Sequence, residues 1–148
     1  MEILVIRKES EFSKGLTKKG FAQFLHDSLD RFRDPVEDIE KAIDYAFSDE
    51  SGKGGFVLTA YNDESELVSG LVMNETGHSG YIPENILVYI ATKPDQRGKG
   101  IGKQVMDKAL EEAGTDVSLH VEYDNPAKRL YERIGFESKY AEMRYKKK

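Results

Sequence analysis

Residues Ile86-Leu87-Val88-Tyr89-Ile90-Ala91 form an unbroken apolar run that Pro94 closes shortly afterwards. A short run that is apolar at every position reads as a strand covered on both faces. Such a strand forces the rest of the chain to supply a layer on each side of a sheet. With 148 residues there is enough chain for one domain with one core. No linker, repeat or low-complexity tract divides residues 1–148, so a single domain is expected.

The flanking segments supply those layers. Residues 2–7, 56–61, 67–74 and 117–121 read as strands, and Phe136–Tyr145 reads as a final strand or short hairpin. Thr17 opens a helix with Phe21, Phe24, Leu25, Leu29 and Phe32 at helical spacing. Asp34-Pro35-Val36-Glu37 reads as an acidic cap, a first-turn proline and a capping-box glutamate, with Val36, Ile39, Ile43, Ala46 and Phe47 on one face. A third helix carries Ile101, Val105, Met106, Ala109, Leu110 and Ala113, and Gly114 ends it. Asn125-Pro126 opens a fourth, with Ala127, Leu130, Tyr131 and Ile134 on one face and Gly135 at its end. The order β-α-α-β-β-β-α-β-α-β predicts an α/β (mixed α+β) fold: a mixed sheet with helices on both faces.

Between the apolar strand and the third helix lies Arg97-Gly98-Lys99-Gly100-Ile101-Gly102. Glycines let backbone turn tightly and approach a ligand closely. A helix start presents unpaired N–H groups and the positive end of the dipole. With Arg97 and Lys99 nearby, these features make a pyrophosphate cradle. It is not a P-loop, because Gly102-Lys103 is followed by Gln104 rather than a magnesium-binding hydroxyl. It is not the dinucleotide fingerprint either: the glycines are spaced Gly98-x-Gly100-x-Gly102, although the following strand does lead to Glu122. On these residues alone, a glycine-rich turn without a ligand stays open.

The run matches Arg/Gln-x-x-Gly-x-Gly/Ala, a signature of the GNAT acetyltransferases, and it follows a strand and Pro94 as it does in that family. Asn125 to Phe136 (Asn-Pro-Ala-Lys-Arg-Leu-Tyr-Glu-Arg-Ile-Gly-Phe) resembles the family's second signature, with Ala127 one position earlier than in the commonest spacing. The close resemblance covers residues 86–136, and the element order extends it along the chain. It implies the GNAT fold, with a mostly antiparallel central sheet. It also implies acetyl transfer from acetyl-CoA to a primary amine by direct attack in a ternary complex.

By that resemblance, Arg97, Gly98, Lys99, Gly100, Ile101 and Gly102 hold the pyrophosphate of coenzyme A. Ile90, Ala91 and Thr92 line the pantetheine gap, and a backbone N–H near Ile90 polarises the thioester carbonyl. Many relatives have Val where this chain has Thr92. Tyr131 matches the general acid for the departing thiolate, although its periodicity alone reads as a core tyrosine. Asn125 matches a cofactor contact while also serving as a helix cap, and Lys128 lies on the same helix. Glu84 and Glu122 are the first candidates for a general base, with His120 and His78 weaker ones. Tyr89 is a candidate for the acceptor pocket.

Charge bears on the acceptor. The net charge of −5 argues against nucleic acid as a partner. Residues 27–50 carry nine acids against three bases, which weakly favours a cationic acceptor, either a small amine or a peptide or protein amine. Residues 93–108 carry five bases against two acids, as an anion site needs. No apolar run is long enough for a membrane span and no signal peptide is evident, so a cytoplasmic monomer or homodimer is expected. With no cysteine, disulfides, thiolate metal sites and a cysteine nucleophile are excluded. The twelve residues after Phe136 are few for two strands and a loop, which predicts a more open pocket on that side. A non-catalytic acyl-CoA-binding module and a nucleotide-binding regulatory domain are the competing functions.

Overall fold

The computed structural model describes all 148 residues. Five strands lie side by side in chain order: β1 (Glu2–Ile6), β2 (Gly55–Tyr61), β3 (Leu67–Glu75), β4 (Asn85–Thr92) and β5 (Val117–Leu119). The first four pair antiparallel, and β5 pairs parallel to β4. Parallel neighbours require a crossover, and α3 (Ile101–Ala113) provides it. The other helices are α1 (Lys18–Ser28), α2 (Val36–Ala46) and α4 (Ala127–Ile134). This is the mixed sheet expected from the sequence, and no helix is long and apolar enough to cross a membrane.

The sheet divides the core in two. On one face Leu58, Leu71 and Met73 pack against Val105, Met106 and Ala109 of α3 and Tyr131 of α4. On the other, Val57 and Val72 meet Phe21 and Leu25 of α1 and Ile39 and Ile43 of α2. Every residue of β2 is buried, as a central strand under two helical layers must be.

Local signals are met with one shift. Thr17 caps α1 as expected, its side chain accepting from the Gly20 N–H. Asp34 does not cap α2. Pro35 stays extended at the cap position without a side-chain bond, which leaves the Asp34 carboxylate for another partner. Glu37 and Asp38 still place negative charge on the first turn.

The expected strand over Phe136–Tyr145 is absent. Residues after Gly135 have no regular structure, and Tyr140, Met143 and Tyr145 are 86%, 92% and 85% exposed. A strand needs an edge to pair with, and β5, expected over Val117–Val121, pairs for only three residues.

Candidate active site

The site is organised by a bulge. Val72 pairs with Tyr89 but Met73 pairs with Leu87, so Val88 is an extra residue in β4. Val88 and Tyr89 therefore both face α1 and α2, while Leu87 and Ile90 face α3 and α4. The bulge also decides where the amides point. Lys93 donates its N–H to Val68 O of the β3 side at 2.8 Å. Alternation along an antiparallel ladder then turns Ala91 and Tyr89 toward β3, and Ile90 and Thr92 away from it.

On that far side there is no strand. β4 and β5 pair only over Asn85–Leu87 and Val117–Leu119. Beyond them the strands part, leaving a slot bordered by Val88–Thr92 and the chain after Leu119. The Ile90 and Thr92 amides face into it. Ala91 has its side chain under the α1–α2 layer and its backbone on β3, so it shapes the slot without offering it a donor.

The slot leads to the glycine turn. Gly98 and Gly100 have φ of 79° and 78°, and a Cβ on either would point into open space. The amides of residues 98–103 find no acceptor in the protein, so a run of N–H groups converges on the start of α3. Gly102 lies where a Cβ would sit 3.4 Å from Leu130 of α4 and 3.8 Å from Thr92, so the turn, β4 and α4 meet there. Arg97 braces the turn from behind: its guanidinium donates to Thr92 O, Ser28 O and the Asp30 carboxylate. Lys99 and Lys103 stand exposed on the turn side, near Gln96 and Asp107.

Across the slot, Asn125 accepts from the Ala127 N–H and donates to Glu122, closing the turn into α4. The Tyr131 ring is buried, edge-on to Phe136 at 6.0 Å. Its hydroxyl has no partner in the protein yet is not sealed in, since Ser13 Oγ is the one fully enclosed side-chain polar atom without a bond. Burial, helped by the Glu122 charge, pushes the Tyr131 hydroxyl up to about 12. The hydroxyl therefore keeps its proton throughout neutral pH. Lys128 lines an open groove of about 580 Å³ with Tyr123, Asp124, Asn125, Pro126, Arg129 and Glu132.

Not every candidate is brought in. Glu84 lies at the start of β4, roughly 20 Å of strand from Ile90, and its carbonyl accepts from Thr76 at the far end of the β3–β4 hairpin. His78 is in that hairpin too, bonded to Tyr81. His120 is exposed beside the slot. Glu122 is the carboxylate that reaches the Tyr131 neighbourhood.

The sequence reading missed the segment joining α1 to α2. It touches three walls of the site: Ser28 and Asp30 hold Arg97, Arg31 pairs with Asp124, and Asp34 accepts from the Tyr89 hydroxyl at 2.5 Å. Burial and Asp34 together raise the Tyr89 hydroxyl far above its usual range. Only its general acidity was visible in the sequence, because each partner is distant along the chain.

No curated protein matches the sequence significantly. Among solved structures, a GNAT-family acetyltransferase from Streptococcus pneumoniae superposes with TM-score 0.65 at 16% identity, over 99% of this chain and 98% of that one. A ribosomal-protein-alanine N-acetyltransferase from Brucella melitensis gives 0.63 at 19%, over 100% and 99%. An aminoglycoside acetyltransferase from an uncultured soil sample gives 0.64 at 16%, over all of both chains. At these identities they show the shared fold. The model of the acetyltransferase (GNAT) family matches residues 21–136, and the chain belongs to that family.

Proposed function

We propose that this acetyltransferase moves an acetyl group from acetyl-CoA to a primary amine, both substrates being bound together. The carrying observation is the continuity of the slot and the glycine turn: two inward amides on β4 run on to six unpaired amides at residues 98–103. This donor set fits coenzyme A, with its chain of amides ending in a pyrophosphate. When bound, acetyl-CoA supplies an acyl group activated as a thioester.

The residues then have separable tasks. Gly98 to Gly102 offer backbone N–H groups to the pyrophosphate, and Lys99 adds charge. Arg97 acts from behind, holding the turn to Thr92 and Ser28. The Ile90 N–H lies where a developing negative charge on the acyl oxygen is stabilised. Tyr131 holds a proton for the departing sulfur, and its raised pKa keeps the hydroxyl in the protonated form. Asn125 and Lys128 border the cofactor side. Glu122, whose charge reaches Tyr131, is the better placed carboxylate to receive the amine proton through water. Glu84 is too far along β4 to act without a relay. Two neighbours have named acceptors, a ribosomal-protein alanine acetylated at nitrogen and an aminoglycoside.

The test is thiol release from acetyl-CoA over a panel of small amines, peptide N-termini and lysine peptides, with CoA affinity measured by calorimetry. Release above background with at least one class is expected. Tight CoA binding with no release across the panel leaves a binding module and ends the transferase reading.

A further inference from the structure

The two faces of the slot are not equivalent. The glycine turn opens α3 on the α3–α4 face, so a cofactor held there leaves the α1–α2 face for the acceptor. The rim of that second face is the connection between α1 and α2, and the opposite lip is the turn from β5 into α4. One ion pair joins the two lips: Arg31 to the Asp124 carboxylate at 3.0 Å.

The rest of the segment is held more firmly. Arg33 bonds Asp30 O, Asp30 bonds Arg97, and Asp34 takes the Tyr89 hydroxyl. Arg31 is different. Its side chain is 66% exposed and that of Asp124 65%, and its other contact is the Phe32 ring of its own segment, 4.3 Å away. An exposed pair of this kind is weak and exchanges readily with another cation. Its position is what gives it consequence, since it spans from the α1–α2 connection to the chain after β5, which borders the slot.

We propose that the Arg31–Asp124 pair is a latch across the acceptor entrance, opened when a cationic group of the acceptor takes Asp124 over from Arg31. This rests on the amine-transferase reading and narrows it. The acceptor carries a second positive group besides the amine that is acetylated, and Asp124 determines that preference. Arg31 swings out on its own segment while Asp30 and Asp34 keep the segment anchored.

Two amines of equal length separate charge from size: putrescine, with a second ammonium, and butylamine, without one. Their binding to the CoA-loaded protein is measured by calorimetry, with thiol release followed on the same samples. The wild type should bind putrescine more tightly. Asp124→Asn should remove that difference, acting on KM more than on kcat. Arg31→Gln, which removes the internal competitor, should tighten putrescine about two- to five-fold. Both variants should keep the wild-type thermal midpoint, as expected for an exposed pair, which checks their folding. Equal affinity of the wild type for the two amines, or a putrescine preference that survives Asp124→Asn, overturns the latch. Lack of thiol release while Asp124→Asn still abolishes the preference removes the transferase reading and keeps the latch.

Discussion

At the scale of single residues, the site depends on positions whose backbone or burial is unusual. Gly100 has a left-handed φ of 78° and open space beyond it. Any other L-residue there strains the turn by about 1–2 kcal/mol and aims a side chain at the cradle. Gly100→Glu adds a negative charge, so calorimetry should find CoA binding abolished while the thermal midpoint falls by about 2–8 °C. Tyr131 gives a second prediction. Tyr131→Phe should keep CoA affinity and lower turnover, and full turnover across the pH range removes its role as acid. The raised pKa also has a stability consequence. The buried hydroxyl holds its proton up to about 12, whereas the unfolded chain releases it near the ordinary tyrosine value of about 10. That contribution is complete below the unfolded pKa and is lost as pH rises through the folded one. Wild type should therefore lose stability more steeply than Tyr131→Phe in denaturant titrations across that alkaline window.

Elements meet at contacts that the local sequence does not disclose. Gly70 in β3 is approached by the Phe21 ring of α1, and a Cβ there would lie 2.5 Å from that ring. Gly70→Ala should destabilise the fold by about 1–3 kcal/mol through overpacking, read as a lowered urea midpoint with an unchanged slope. The end of the chain behaves in the opposite way. Phe136 packs on Tyr131, but the residues beyond it bury no large side chain. Deleting residues 138–148 should change stability by no more than about 0.5 kcal/mol, and a larger loss in thermal unfolding would show that this segment is docked. β4 makes the same point about elements. One inserted residue, Val88, decides whether Ile90 or Ala91 presents its amide to the slot.

Over the whole molecule, charge is divided between two segments. The segment from 93 to 108 is net positive and that from 27 to 50 net negative, and the fold sets them on adjoining walls through Arg97–Asp30. Attraction of a cationic acceptor to the exposed Asp124 is open to screening. Raising ionic strength from about 0.01 to about 1 M shortens the Debye length from about 30 to about 3 Å. Putrescine affinity should fall over that range, and butylamine affinity much less; parallel salt dependence of the two amines would contradict the charge argument.

The strand, glycine turn and helix of the candidate cradle were legible in the sequence because their signals are local. Strand, proline, glycine turn and helix follow one another within residues 86–113, and each sets backbone geometry through its nearest neighbours. The same holds for Thr17, Gly114 and the Asn125 turn. The contacts of the α1–α2 connection were not legible. Asp30 with Arg97, Arg31 with Asp124 and Asp34 with Tyr89 join residues far apart in the chain, and Asp34 reads locally as a helix cap. The missing last strand is a decision of the same kind. The 136–145 pattern suits a strand, but pairing depends on an available edge, and β5 offers three residues already committed to β4. Backbone preference is written in short windows of sequence. Which charges face each other, and which edges find partners, is settled only when the sheet and its two helical layers close together.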